Sequence, residues 1–372
     1  MRLGLDAMRE ACAATAHPER AFPSVHVAGT NGKGSTCAMV ESIARAAGLK
    51  TGLYTSPHLV RFAERIRIDG EPIDDASLAV VLDEALRHDI SFFETATLAA
   101  FLAFRAAKVD LAIIEVGIGG RLDATNVLPA DTVRASAITG IALDHQDKLG
   151  DTLAEIAREK GGIARPGVPL VHGPLPAEAF AAIQAAGAPL VEAPPYDDPI
   201  GLAGPHQRSN AGVAAELGRL LTLTPAAISH GIATTSWPGR LERIATPKGS
   251  FILDGAHNAD GAAALVAALR GEPIGAVVFG ALADKPWRAM LAHVAELDAP
   301  RFYVSPAGRA PAAPAELAAL YPGTPSASLH DAVAAACASA RGLPVVVCGS
   351  LYLVGEARAR ILDLERDPSV AL

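Results

Sequence analysis

The chain has 372 residues, of which 50% are hydrophobic and 19% charged, and its 32 Lys and Arg against 40 Asp and Glu leave a net charge of −8. At about 150 residues per domain this length predicts two domains or three, and so much apolar material excludes a disordered or fibrous chain. The acidic balance argues against a general nucleic-acid coat or a binder of anionic membranes, while leaving room for a local cationic phosphate site.

No apolar run approaches the roughly 18 residues of a membrane span. The start, Met1-Arg2-Leu3-Gly4-Leu5-Asp6, lacks the basic-then-apolar layout of a signal peptide. Cys12, Cys37, Cys337 and Cys348 form no CxxC pair and are too sparse for a disulfide framework or a zinc site, so they read as small buried hydrophobes. These features predict a soluble cytoplasmic protein.

Short apolar runs alternate with Ala-rich helical stretches, the pattern of layered α/β structure. In chain order, 25–28 reads as a strand that runs into Gly29-Thr30-Asn31-Gly32-Lys33-Gly34, and 35–47 as a helix closed by Gly48. Strands are expected at 53–55, at the entirely apolar 111–114, which belongs at the centre of a parallel sheet, and at 137–141. A helix is expected over 153–160. The proline-rich stretch 193–205 is a loop, and Trp237-Pro238-Gly239-Arg240 is a clearer break. After it the alternation restarts, with strands at 250–253, 276–279, 302–304 and 345–347 and helices beginning at Asp260, Trp287 and His330. A domain boundary is placed near 245.

Gly29-Thr30-Asn31-Gly32-Lys33-Gly34-Ser35-Thr36 is the strongest local signal. A glycine-rich turn from strand to helix lets backbone N–H groups face an anion at the positive end of the helix. Lys33 can reach the β- and γ-phosphates of a nucleotide, and a hydroxyl of Ser35 or Thr36 can face phosphate or Mg²⁺. The spacing departs from GxxxxGK[ST], because only two residues precede Gly32-Lys33 and Gly34 intervenes before Ser35. Glu115 ends the buried run, where a carboxylate can hold Mg²⁺ at the ligand crevice or simply face the surface. Asp144-His145 follows the fourth strand; His145 is a metal ligand or a structural histidine. Lys160 reads on its own as a solvated helix-end lysine. Asp254-Gly255-Ala256-His257-Asn258 forms a polar strand–helix turn that is a site or an N-capping turn.

The combination resembles the folylpolyglutamate synthase/dihydrofolate synthase family of the Mur ligase superfamily. The segments that carry the resemblance extend over nearly the whole chain. They are the 29–35 loop, Tyr54-Thr55-Ser56-Pro57-His58-Leu59, Glu64-Arg65-Ile66, Phe92-Phe93-Glu94-Thr95-Ala96-Thr97, the 115–126 run, Leu143-Asp144-His145, Glu159-Lys160-Gly161-Gly162-Ile163, Pro238-Gly239-Arg240, the 254–258 turn, and Gly349-Ser350-Leu351-Tyr352. The resemblance implies that ATP phosphorylates a substrate carboxylate and that the amine of L-glutamate then displaces phosphate. It implies Mg²⁺, as two ions, with Ser56, Glu115 and His145 as ligands and Lys160 carbamylated. Asn210, Arg240 and Asp254 join the loop as ATP contacts, His257 and Ser350 face glutamate, and Ser91, Phe92, Phe93 and Glu94 touch the pterin unless Phe92 and Phe93 are core. Lys33, Lys160 and His257 are the catalytic candidates.

Three departures from the family stand out: no helix ahead of Leu3-Gly4-Leu5, a short 171–206 stretch, and proline in Asp284-Lys285-Pro286. The first implies weak dihydropteroate binding unless the start lies upstream. The expected fold is α/β: a P-loop-type ATPase domain with a mostly parallel sheet over 1–245, then a smaller Rossmann-like glutamate-ligase domain over 246–372. The expected activity is addition of L-glutamate to dihydropteroate, to reduced folates, or to both, by a monomer whose partners are small molecules rather than nucleic acid or membrane. The rival readings are a Mur-type amide ligase with a different acyl acceptor and a degenerate nucleotide-binding regulatory protein.

Overall fold

The run Leu111-Ala112-Ile113-Ile114 has no polar side to turn to water, so it belongs in a sheet covered on both faces. The computed structural model, which describes residues 4–308 and 310–367, places it there. The chain divides into two compact units. One comprises 4–57, Ala63–Gly201 and Gln207–Ser236; the other comprises His58–Phe62, Leu202–His206 and 237–367. Met1, Arg2 and Leu3, the first part of the N-terminal element singled out in the sequence, lie outside the described residues.

The strands of the first unit are β1 (Ser24–Ala28), β2 (Thr51–Tyr54), β3 (Ile66–Ile68), β4 (Glu71–Pro72), β5 (Leu111–Glu115), β6 (Val133–Ile138), β7 (Leu170–His172) and β8 (Leu190–Glu192). Its helices are α1 (Asp6–Ala14), α2 (Lys33–Ala46), α3 (Asp75–Ala85), α4 (Phe92–Ala107), α5 (Gln146–Leu149), α6 (Leu153–Gly161), α7 (Ala177–Gln184), α8 (Gln207–Leu220) and α9 (Pro225–Thr234). The sheet order is β4-β3-β2-β5-β1-β6-β7-β8, and all pairs are parallel except those of the edge ribbon β2–β3–β4. From β1 the chain goes to β2 on one side of the sheet, and β6 lies on the other. The C-terminal end of β1 is therefore the point of reversal at which open α/β sheets form their ligand crevice. Pairing of Val27 with Glu115, Ala28 with Ile138 and Tyr54 with Ile114 brings Gly29, Glu115, Thr139 and Thr55 to that one edge.

In the second unit the strands are β9 (Glu242–Thr246), β10 (Gly249–Asp254), β11 (Ala276–Phe279), β12 (Arg301–Tyr303), β13 (Thr324–Pro325) and β14 (Val345–Cys348), with helices α10 (Ala259–Ala268), α11 (Trp287–Val294), α12 (Pro314–Leu320), α13 (Leu329–Ala340) and α14 (Leu351–Leu362). The order is β13-β12-β11-β14-β10-β9, parallel except for the β9–β10 hairpin. Alternate residues go to opposite faces. Ile252, Val277, Phe279 and Val346 pack with Leu265, Met290 and Leu291, whereas Phe251, Leu253, Val278 and Val347 pack with Ala332, Ala336 and Leu353. Each large apolar side chain buried this way contributes about 1.5–3 kcal/mol. Pairing of Asp254 with Cys348 sets the 254–258 turn beside the 349–350 turn.

Two expected elements move. The strand read at 137–141 is Val133–Ile138, because Thr139 leaves the ladder: its N–H donates to Ala28 O and its hydroxyl to Asn31 O at 2.6 Å. The first helix begins at Lys33 rather than Ser35, since Gly32 takes φ +87° and caps it. The second sheet begins at Glu242, within a unit whose main segment starts at Trp237, whereas the sequence reading put the boundary near 245. Cys12, Cys37 and Cys348 are buried and Cys337 is half-buried. Among the described residues no helix is long and apolar enough to cross a membrane.

Candidate active site

The loop after β1 is built so that only glycine fits at two of its positions. Gly29 has φ +148° and Gly32 φ +87°; a Cβ on the first would collide with Thr139, and one on the second with the Asn210 carboxamide. That second approach brings Asn210 of α8 to the loop. Asn210 Nδ2 donates to Gln207 Oε1 at 2.8 Å, and Gln207 Nε2 donates to Ser35 Oγ at 3.3 Å. Gln207 was not singled out in the sequence, although its place three residues before Asn210 on one helix face is the signal. The amides of Lys33, Gly34 and Ser35 open α2 and have no carbonyl one turn back within it. Thr36 Oγ1 is buried and has no hydrogen-bond partner among the described residues. An unmatched hydroxyl beside first-turn amides suits a phosphate.

Gly32→Ala should therefore weaken nucleotide binding strongly. Left-handed backbone costs a residue with a Cβ roughly 1–2 kcal/mol, and the methyl must also displace Asn210. Calorimetric titration with a non-hydrolysable ATP analogue is the check, and unchanged affinity would contradict this account of the loop.

The lysines converge on one atom. The Gly29 carbonyl accepts from Lys33 Nζ at 3.1 Å and from Lys160 Nζ at 2.9 Å, and Lys33 also reaches Thr30 O at 3.3 Å. Lys160 is only 5% exposed, which overturns its reading as a solvated helix-end lysine. Burial, reinforced by the charge of Lys33, pushes its pKa down to about 7 against the opposing pull of Asp144 and Asp123.

Glu115 and Ser56 are also together, with the Ser56 N–H donating to Glu115 Oε2 at 2.9 Å. The 139–145 segment is tied to the loop by reciprocal bonds between Thr30 Oγ1 and the Ala142 backbone, each 3.1 Å. His145 follows at φ +52°, its N–H on Asp144 Oδ1 at 2.9 Å. Among the described residues no three His, Cys, Asp or Glu side chains gather as a self-sufficient metal cage. That does not argue against Mg²⁺, which takes few protein ligands and completes its shell with phosphate and water.

Asp123, which the sequence reading passed over, organises the loop behind Glu115. Its Oδ2 accepts from the N–H groups of Gly117 and Ile118, each at 3.0 Å, and its Oδ1 from the N–H and hydroxyl of Thr125. The Thr125 proton is thereby committed, so buried His26 Nε2 donates to Thr125 Oγ1 at 2.8 Å; burial, then the charge of Arg165, lowers the His26 pKa to about 3. In the expected pterin strip, Ser91 and Glu94 form a capping box for α4. Phe93 packs near Tyr54, with ring centroids 6.2 Å apart, and against Gly117, while Phe92 is 38% exposed under the Arg65 guanidinium.

In the second unit Asp254 is buried, and burial raises its pKa. Its oxygens accept from the N–H groups of Leu241 and Ala256, both at 2.9 Å. Arg240 lies over Gly255, where a Cβ would meet its guanidinium. His206, absent from the sequence reading, has a buried Nδ1 with no hydrogen-bond partner among the described residues and feels the charges of Asp254 and Arg240. His257 Nδ1 faces Gly255 O at 2.8 Å. A carbonyl can only accept, so Nδ1 carries a proton. Asn258 and Ser350 cap α10 and α14.

Residues 27–167 match the Mur ligase middle domain and residues 239–351 the Mur ligase glutamate ligase domain. The chain is 36% identical to the folylpolyglutamate synthase of Lacticaseibacillus casei over 94% of its own length and 92% of that protein. Its fold is similar to that of E. coli FolC in complex with DHPP and ADP, with a TM-score of 0.87 at 32% identity over 98% of this chain and 94% of the other. It is also similar to a bifunctional folylpolyglutamate synthase/dihydrofolate synthase with Mn, AMPPNP and L-glutamate bound, at TM-score 0.85 and 33% identity over 98% of this chain and 95% of that one. The chain belongs to the folylpolyglutamate synthase/dihydrofolate synthase family of Mur ligases.

Proposed function

We propose that the protein adds L-glutamate to dihydropteroate, to reduced folates, or to both, by way of an acyl phosphate formed from ATP. The observation that carries this reading is the Gly29 carbonyl shared by Lys33 and Lys160 at the sheet edge that also holds Glu115 and Ser56. Phosphoryl transfer asks a protein for alignment and charge neutralisation more than for covalent help. The 29–35 amides and Lys33 bind the triphosphate and offset the charge that develops as the substrate carboxylate oxygen takes the γ-phosphoryl group. Ser56, Glu115 and His145 would hold a divalent cation, which when bound neutralises phosphate oxygens. Lys160, whose pKa burial lowers to about 7, can lose its proton, and the neutral amine can take up CO₂ with release of a second proton, leaving a carboxylate-like anion suited to a second cation.

Glutamate must lose an ammonium proton before its nitrogen can attack, and His257, in the strand–helix turn of the second unit, is the residue assigned to the glutamate side. Attack at the acyl carbon forms the amide bond and releases phosphate. Phe92 and Phe93 supply the aromatic surface for the pterin.

Phosphate release measured with ATP, L-glutamate and either dihydropteroate, tetrahydrofolate or a cell-wall peptide precursor tests this reading. Turnover is expected with one or both pterins and none with the precursor. Turnover with the precursor alone would establish a different Mur-type ligase, and silence with all three under saturating conditions would favour a nucleotide-binding protein without ligase activity.

A further inference from the structure

Arg240 occupies a turn whose two neighbours are each fixed by a carboxylate. On one side, Gly239 has φ +71°, its N–H donates to Glu242 Oε2 at 2.8 Å, and its carbonyl accepts from Gly255 N at 2.8 Å. On the other, Leu241 is a buried non-glycine residue at φ +47°, held there by its N–H on Asp254 Oδ2. Left-handed backbone at a branched residue persists only where the surroundings over-determine it. The guanidinium of Arg240 itself makes no hydrogen bond or ion pair among the described residues.

The charge of buried Asp254 acts on Arg240, whereas Glu242, two residues on in the chain, is engaged with another cation. Arg358 of α14 donates from Nε to both of its oxygens, at 2.9 and 3.0 Å, and the two side chains are only 19% and 18% exposed. One carboxylate thus joins three elements: α14 through Arg358, β9 through its own backbone, and the turn through the Gly239 amide. A Cβ on Gly239 would press on Leu59 and Val354, so the turn lies directly on α14 and has little room to shift.

We propose that the Glu242–Arg358 ion pair is a positioning device for Arg240, locking the Glu242 carboxylate onto the Gly239 amide so that the turn that carries Arg240 stays fixed. This rests on the reading of Arg240 as a cation for a nucleotide phosphate. Glu242 and Arg358 touch no substrate; they act through Arg240.

Affinity for AMPPNP with Mg²⁺, measured by calorimetry on the full chain, is the readout, because it does not depend on which acyl substrate the enzyme takes. Glu242→Ala and Arg358→Met should each weaken AMPPNP about tenfold with the KM for glutamate unchanged. Glu242→Gln, which keeps an oxygen on the Gly239 amide, should recover most of that loss. In an Arg240→Ala background, Glu242→Ala should change affinity less than about twofold, since a residue acting through Arg240 has nothing left to act on.

The charge swap Glu242→Arg with Arg358→Glu separates positioning from stability. It restores an ion pair and should restore the thermal midpoint, but arginine cannot accept from the Gly239 amide, so AMPPNP should remain weak. Recovery of both would mean that the pair is merely structural. Wild-type affinity in Glu242→Ala and Arg358→Met, or a further tenfold loss on top of Arg240→Ala, would overturn the proposal while leaving Arg240 in its role. Wild-type AMPPNP affinity in Arg240→Ala would instead remove that role and the positioning device with it.

Discussion

Replacing Lys33 with alanine should slow acyl-phosphate formation by about 10²-fold or more while leaving the fold intact. Lys33 stands at the first position of α2 and reaches back over the loop to the carbonyls of Gly29 and Thr30. The helix amides neutralise phosphate by fixed dipoles, whereas Lys33 brings a full charge. Removing one preorganised group of this kind costs roughly 3 kcal/mol of transition-state stabilisation. The local bonds lost are worth about 1 kcal/mol each, so the rate falls far more than the stability. Single-turnover measurement of phosphoryl transfer at saturating ATP is the check, and near wild-type turnover would contradict the assignment.

Lys160→Ala and Lys160→Arg should both be nearly inactive, and comparing them is informative. Arginine retains a cation able to donate to the Gly29 carbonyl, but it never presents the neutral amine that CO₂ requires. Activity in Lys160→Arg would show that Lys160 serves as a cation. If the carbamate is what matters, a short carboxylic acid added to Lys160→Ala should partly restore turnover. Wild-type activity should also fall when CO₂ is stripped from the buffer. The sign of the pH effect follows from a pKa near 7 in the folded protein. Below that value the amine is mostly protonated and carbamate is lost, so at limiting CO₂ activity falls as pH drops through 7. An active, divalent-cation-bound enzyme with unmodified Lys160 would contradict the proposal.

The parts of the site legible in the sequence were those with a local physical signature. Two glycines at positive φ, a lysine at the helix start and an acid closing an all-apolar strand can each be read without knowing the fold. Partners separated by a hundred residues could not. His26 meets Thr125, and Glu242 meets Arg358, because the sheet and a returning helix bring them together; in sequence they are an isolated histidine in a strand and two charges among many. The burial of Lys160 was hidden for a related reason. Its helix has ordinary amphipathic spacing, and only the packing of α6 beside the 29–35 loop turns a helix-end lysine into a buried one. The edge strands β4 and β13, two residues each, are too short to carry a period at all. The inclusion of 58–62 and 202–206 in the second unit is likewise a matter of tertiary contact, not local pattern.

The most direct test of the account follows one oxygen atom. With the acyl substrate labelled by ¹⁸O in the carboxylate that receives glutamate, attack of that oxygen on the γ-phosphorus and its later departure with the phosphate must move one labelled atom into inorganic phosphate in each turnover. Mass analysis of the released phosphate in the presence of ATP and L-glutamate is therefore expected to find one ¹⁸O per phosphate formed. Amide product accompanied by unlabelled phosphate would show that the carboxylate is never phosphorylated, and the acyl-phosphate route assigned to Lys33 and its loop would be wrong.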